Sequence, residues 1–480
     1  MKMLIDGKWV DASNGATTEV LNSATQELVD TVPKATVEDM QRAIDVAYAG
    51  KKEWAKVPQY KRSAMLVKAA DLIEAKVNEI GKLLATEMGK VITQTIGEAS
   101  VVPQIIRGYA EVANHLYSDV MSHSQVGSES DIIFTRREPI GVIGAITPFN
   151  YPVELCYHKV AAAIASGNVV IVKPADSNPL SIIKMAELFM EAGFPAYVLQ
   201  VVTGPGSVIG QVLAESPKVN GISFTGSTEV GLKLAKTASG TLKRLGLELG
   251  GNDPFIVFED ADLELAVREA VDGRIKNAGQ TCCAPKRFIV HSSVIEEFTA
   301  KAIEGMKNVK AGCPLDPATE MGSLISPKAA EEVEKQVEHT VKQGAKLVLG
   351  GKRYKETYFE PTVLTGVTKD MDIARDMEVF GPVMPIIKFD SFDEAIEIAN
   401  NSMYGLNAGV ITKDSRVAIK AASLLENGVV VINGSGNYRN IDQPHGGVKM
   451  SGVGKEGLCC TIQDMTDVKS YVLKNILAEK

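Results

Sequence analysis

The sequence predicts an α/β fold in which parallel sheets carry helices on their faces. From Gly141 onward, short β-rich runs alternate with helical stretches. Strands joined through helices become parallel neighbours, because a parallel pair needs a long crossover. A second alternating series runs from Pro254 to about Asn433. Glycine-rich turns follow two of the early strands, where a tight strand-to-helix turn needs a residue without a Cβ.

Taken in chain order, Met3 to Val10 places Asp6-Gly7 between short apolar runs, a hairpin signal. From Thr36 to about Leu116 apolar residues recur at three- and four-residue spacing, which predicts helices, and Thr36-Val-Glu-Asp39 resembles a capping box. Strands are expected at Gly141–Thr147, Asn168–Lys173, Val198–Thr203 and Gly221–Thr225. Others are expected near Phe255–Phe258, Arg287–His291 and Val429–Ile432. No internal repeat or low-complexity linker interrupts them.

Composition excludes several classes. The 51 basic and 59 acidic residues give a net charge of −8, spread along the chain, whereas a nucleic-acid binder needs a basic stripe. The apolar run from Val160 to Val172 is broken by Ser166, Gly167 and Asn168 and falls short of the about 18 residues a membrane span needs. The N-terminus has no signal-peptide pattern. Six cysteines without C-x-x-C spacing, and no H-E-x-x-H, point to a reduced, metal-free, cytoplasmic protein.

Five stretches carry candidate chemistry. Gly204-Pro-Gly206-Ser-Val-Ile-Gly210 and Phe224-Thr-Gly226-Ser227-Thr-Glu-Val-Gly231 each lead from a strand into a helix. There glycine lets the backbone approach a pyrophosphate and the helix N-terminus offers free N–H groups; a bare tight turn is the alternative. Asn277-Ala-Gly279-Gln280-Thr281-Cys282-Cys283 sets a cysteine in a loop of small residues, either a nucleophile or an ordinary buried thiol. Glu248-Leu-Gly250-Gly251 places a carboxylate among apolar residues and glycine, where a raised pKa makes a base; a strand-end charge is the plainer reading. In Thr147-Pro148-Phe149-Asn150-Tyr151-Pro152 the amide of Asn150 can donate to an oxyanion or simply serve a turn.

Together with Lys173-Pro, Glu378-Val-Phe380-Gly-Pro382 and Lys449-Met-Ser-Gly452, these motifs resemble the NAD(P)-dependent aldehyde dehydrogenase superfamily over essentially the whole chain. The resemblance implies a Rossmann-type cofactor domain (1–119 and 141–250), an α/β catalytic domain (251–443), and a small β oligomerisation arm with the C-terminal tail (120–140 and 444–480). The arm would pair a hairpin near 120–140 with the tail after Thr466, giving a homodimer or homotetramer. By the same resemblance Cys282, rather than Cys283, is the nucleophile, Glu248 the base and Asn150 an oxyanion donor. Thr147, Pro148, Phe149, Lys173, Asp176, Gly206, Gly210, Phe224, Gly226, Ser227, Glu378 and Phe380 would hold the cofactor. Asp176 sits where a carboxylate accepts from an adenosine ribose 2′-OH and repels a 2′-phosphate, which favours NAD over NADP.

The substrate side is implied less directly. Arg107, Tyr151 and Arg439 are similar to residues that hold phosphate in non-phosphorylating glyceraldehyde-3-phosphate dehydrogenases, with Thr281 standing where those enzymes carry another arginine. His445 lies in the stretch that walls the entrance. The lactaldehyde dehydrogenases of the same branch match around Phe134–Pro139 and Gly446–Lys449. A short, polar, anionic aldehyde is expected, such as 3-sulfolactaldehyde, lactaldehyde, succinate semialdehyde or glyceraldehyde 3-phosphate. The rivals are a CoA-acylating enzyme, whose relatives commonly lack the Glu248 base, and a crystallin-like binding protein, which tends to lose a catalytic group.

Overall fold

A computed structural model describes residues 1–478. Its larger sheet has eight strands in the spatial order Lys8–Val10, Met3–Ile5, Leu199–Val201, Val169–Lys173, Val142–Ile146, Gly221–Thr225, Arg244–Glu248 and Gly452–Val453. The five from Leu199–Val201 to Arg244–Glu248 are parallel. Val142–Ile146 and Val169–Lys173 are buried at every position, as expected for strands covered on both faces. The Asp6-Gly7 hairpin forms the antiparallel edge.

Helices α1 (Val37–Lys56), α2 (Gln59–Glu74), α3 (Val77–Met88) and α4 (Ile92–Val112) account for the long helical stretch. The capping box at Thr36 is present in both directions: its hydroxyl accepts from Asp39 N–H, and the Asp39 carboxylate accepts from Thr36 N–H. Trp54 of α1 is fully buried, and its indole N–H donates to Ile164 O at 3.2 Å, pinning α1 to α5 (Pro152–Ala165). Helices α6 (Leu180–Ala192), α7 (Gln211–Glu215) and α8 (Thr228–Ala238) complete the crossovers.

Chain order across the parallel strands reverses at Val142–Ile146. The next two strands lie on one side of it, and Gly221–Thr225 and Arg244–Glu248 lie on the other. Such a reversal leaves a crevice at the carboxyl ends of the strands, where ligands of open α/β sheets bind. Thr147, Lys173, Gly226 and Glu248 all stand at those ends.

A short connector, Leu249–Asp253, leads into a second sheet and a separate apolar core that includes Phe255, Phe288 and Phe389. Its order is Lys346–Leu349, Thr362–Val367, Val383–Phe389, Arg287–His291, Pro254–Val257, Asn407–Ile411 and Val429–Ile432, parallel except for the first pair. The edge strand Val429–Ile432 is entirely apolar in sequence yet only half-buried.

The arm departs from expectation in detail. Residues 120–140 do not form a hairpin of their own. Ile132–Pro139 pairs antiparallel with Thr466–Leu473 over eight residue pairs, and the preceding segment adds a single bridge, Val120 to Phe134. The alternation in Ile132–Arg136 is therefore satisfied by a partner more than 300 residues away. No helix among the described residues is long and apolar enough to cross a membrane.

Candidate active site

The candidate nucleophile sits in a turn between α9 (Leu263–Ile275) and the strand Arg287–His291. Two non-glycine residues there, Asn277 and Ala278, take left-handed backbone conformations with φ of 50° and 51°. Gly279 follows at φ 78°, and a Cβ on it would lie 2.2 Å from Gly381 O, so only glycine fits. Strain of this kind persists where the surroundings over-determine it. The buried Arg274 guanidinium does so, donating to the carbonyls of Gly279, Val379, Gly381 and Pro285.

Asn150 is stitched to that turn. Its Nδ2 donates to Gln280 O at 3.0 Å, while its own carbonyl accepts from Asn277 Nδ2 at 3.1 Å and from Lys90 Nζ at 3.0 Å. Lys90 is buried, paired with Glu98 at 2.6 Å, and lies 3.4 Å from the centre of the Tyr151 ring. Glu98 in turn accepts from the N–H groups of Val153 and Glu154, the free donors at the start of α5.

Cys282, Cys283, Glu248, Tyr151, Thr281, Arg439 and His445 line one cavity. Burial pushes the Glu248 carboxyl up to about 8, as the apolar and glycine setting predicts. The two thiols are half-buried neighbours that titrate together. Their interaction lets the first proton leave the pair more readily than from an isolated thiol and holds the second well above the usual range. The Tyr151 hydroxyl and Thr281 Oγ1 are buried without a partner, as is Arg439 Nε. Burial also keeps the His445 imidazole neutral.

Arg107 does not reach this cavity. Its Nη2 donates to both Asp71 and Glu74 of α2, and that pairing takes the guanidinium away from the tunnel. Three charged residues that sequence reasoning passed over do line the cavity: Lys276, Glu154 and Glu456. Lys276 directly precedes the Asn277 motif and was legible there. Glu456 was not, because its partners Lys159, at 2.8 Å, and Arg439, at 2.8 Å, come from distant parts of the chain.

Several of the residues expected around a dinucleotide stand at the strand ends, among them Thr147, Lys173 and Gly226. Thr147 Oγ1 and Thr225 Oγ1 are buried there without partners. A Cβ on Gly206 would fall 3.6 Å from Lys173 Nζ, one on Gly226 would fall 2.5 Å from the Phe224 ring, and one on Gly250 would fall 2.4 Å from Glu378 Oε2. Lys173 is ion-paired with Asp176, and Ser227 caps α8 by accepting from Val230 N–H. Gly206–Gly210 is a single wide turn ahead of the short helix α7. Phe149 and Phe380 meet edge to face with centroids 6.0 Å apart. The unpartnered hydroxyls of Thr147 and Thr225, with a Lys173 ammonium beside Gly206, fit the polar groups of a dinucleotide.

Comparisons with known proteins agree with this geometry. The aldehyde dehydrogenase family model matches residues 9–471. A 3-sulfolactaldehyde dehydrogenase from Priestia aryabhattai is 40% identical over 472 residues, covering 98% of this chain and 97% of that protein. A lactaldehyde dehydrogenase from Methanococcus vannielii is 37% identical over 478 residues, covering 99% and 100%. An E. coli NADP-dependent enzyme of known structure superposes with a TM-score of 0.96 at 34% identity, covering 98% of each chain. With a matching sequence and fold, the chain belongs to the aldehyde dehydrogenase family, oxidoreductases that act on aldehydes with NAD or NADP as acceptor.

Proposed function

We propose that the protein oxidises a short, polar, anionic aldehyde to its carboxylic acid, with Cys282 as nucleophile, Glu248 as base and Asn150 as oxyanion donor. The observation that carries this reading is the meeting of both thiols, Glu248 and Arg439 in one cavity beside the turn that Asn150 is bonded to. The Cys282 thiolate attacks the aldehyde carbon, and the aldehyde oxygen takes the negative charge as a thiohemiacetal forms. The Asn150 amide and the Cys282 backbone N–H stabilise that oxygen, a contribution of roughly 3–4 kcal/mol for one such donor. NAD(P), when bound, supplies the hydride acceptor that makes the thiohemiacetal a thioester. Glu248 then takes a proton from water, the resulting hydroxide adds to the thioester carbon, and the Cys282 sulfur leaves with the acid released.

The cofactor would lie across the larger sheet's switch-point crevice. Thr147, Pro148 and Phe149 would wall it, Lys173 and Asp176 would hold the adenosine ribose, and Gly206, Gly210, Phe224, Gly226 and Ser227 would receive the pyrophosphate. Glu378 and Phe380 would hold the nicotinamide ribose. The Asp176 carboxylate favours NAD, since a 2′-phosphate beside it is repelled. In domain terms, 1–119 and 141–250 bind cofactor, 251–443 carry the nucleophile, and 120–140 with 444–480 serve assembly.

An anionic substrate tail is supported by the charges around the cavity. Arg439 and Lys276 line the cavity with Glu456, which Lys159 and Arg439 hold ionised despite its burial. Burial raises the Glu154 and Glu248 carboxyls, which weakens the negative charge facing those two cations. Arg439 also keeps its Nε donor unpartnered. Arginine's planar fork suits carboxylate, sulfonate or phosphate. The candidates are 3-sulfolactaldehyde, succinate semialdehyde and glyceraldehyde 3-phosphate, with lactaldehyde as the neutral member. Arg439→Ala is expected to lower kcat/KM for the anionic substrate about ten- to a hundredfold relative to a neutral aldehyde of equal length. A panel of aldehydes with NAD and with NADP, followed by absorbance of the reduced cofactor, checks both substrate and cofactor. Equal losses for neutral and anionic substrates would remove the anionic-tail reading.

A homodimer or homotetramer is the proposed assembly. The arm strand Thr466–Leu473 is largely exposed, and the Val429–Ile432 edge is apolar and half-open. Such edges invite pairing with another chain. Light scattering at assay concentration is expected to give at least twice the 51.4 kDa chain mass. A monomer would defeat the assignment of the arm.

A further inference from the structure

Lys286 is a buried ammonium for which the reaction just described has no use. It comes four residues after Cys282, at the start of the strand Arg287–His291, and its side chain is 1% exposed. Its Nζ donates to the Cys282 carbonyl and stands 3.3 Å from Glu378 Oε1. The same Glu378 oxygen accepts from Gly251 N–H at 3.1 Å. Lys286 N–H donates to Asp253 O at 2.9 Å. One lysine therefore ties together the nucleophile turn, the connector between the two sheets, and the segment that presents Glu378.

We propose that Lys286 is a positioning residue that holds the Cys282 turn against Glu378 and supplies the fixed positive charge beneath which the thiol pair ionises. The proposal rests on Cys282 being the nucleophile. A packing role alone would be met by an apolar side chain of similar length, and a buried cation is retained only where its charge is answered. The other charged groups facing the pair do not duplicate it. Arg439 is held by Glu456 at 2.8 Å, a closer pair than Lys286 and Glu378 at 3.3 Å, and Lys276 is half-exposed at the end of α9, whereas Lys286 alone is hydrogen-bonded to the Cys282 backbone. Asp253 and Glu248 are pushed toward their neutral forms by burial, and neither Asp253 oxygen has a hydrogen-bond partner. Lys286 is close enough to favour negative charge on both sulfurs.

The test is the pH dependence of alkylation by iodoacetamide in the intact enzyme, read by mass spectrometry with peptide mapping. In Lys286→Met the alkylation midpoint is expected to rise by about one pH unit or more, so that alkylation at pH 7 slows about tenfold. Lys286→Arg keeps the charge and is expected to bring the midpoint back toward that of the parent enzyme. An unchanged midpoint in Lys286→Met, or a Lys286→Arg profile shifted as far as that of Met, would overturn the proposal. Should the Met variant fail to fold, Glu378→Gln gives the opposite test. Freed from its carboxylate, the ammonium is expected to lower the midpoint, and no movement would count against the proposal. Mapping shows which sulfur reacts, so a failure of the Cys282 assignment is distinguishable from a failure of Lys286.

Discussion

Cys282→Ala is expected to lower kcat by about four orders of magnitude or more, while Cys283→Ala keeps activity within about tenfold of the parent enzyme. The large loss follows because no thiohemiacetal forms without the nucleophile, and every later step depends on it. The contrast between two adjacent thiols is the informative part. Both line the same cavity and titrate together, so ionisation by itself does not choose between them. The proposed choice rests on the motif, in which Cys283 comes second and its Sγ lies 3.8 Å from Asn437 Oδ1. Cys282 also directly follows Gln280-Thr281, and Gln280 is the residue to which Asn150 is bonded. Reduced-cofactor absorbance in single-turnover and steady-state experiments with both variants checks this. Activity lost in Cys283→Ala and kept in Cys282→Ala would reverse the assignment.

Glu248→Gln is expected to lower steady-state turnover about 10²–10⁴-fold, and to do so after the redox step. The first equivalent of reduced cofactor should still form, because thiolate attack does not need Glu248. The acyl-enzyme should then accumulate, visible as a mass increase on Cys282 after acid quench. The pH dependence has a definite sign. Burial raises the carboxyl to about 8, so at pH 7 only roughly one molecule in ten carries the base form. Where thioester hydrolysis limits the rate, turnover rises with pH, and it levels off once pH passes about 8. Glu248→Gln removes that rising limb. Acid formed by the parent enzyme without CoA separates hydrolysis from acyl transfer to a thiol. A requirement for CoA would reassign the protein to the acylating class.

The anionic-tail reading began from two arginines and keeps one. Arg107 was expected there from its similarity to phosphate-holding residues on a helix facing the tunnel. Its guanidinium pairs with Asp71 and Glu74 of α2 instead. Lys276, carried into the cavity wall at the end of α9, takes over the positive charge that Arg107 was expected to bring.

The order of the elements was legible in the chain itself. Apolar period, turn glycines and the Thr36 capping box are local signals, readable within a window of a dozen residues. The parallel sheets, their helical crossovers and the Asp6-Gly7 hairpin follow from them. Motif order likewise marked Cys282, Glu248 and Asn150 without any distance. Other features depended on contacts between residues far apart. The arm pairs Ile132–Pro139 with Thr466–Leu473, as the resemblance implied, but in place of the expected 120–140 hairpin there is a single bridge. The cluster of Lys159, Glu456 and Arg439 brings together charges separated by up to 297 positions. The Lys286 tether to Glu378, the neutralised Asp253, and the removal of Arg107 from the site are of the same kind. Local pattern determined which elements exist and where the candidate catalytic residues lie along the chain. Which buried charge meets which counter-charge, and so the sign of the pocket and the protonation of its groups, was decided only by tertiary packing, because Coulomb energy and desolvation depend on distance in space rather than on separation in sequence.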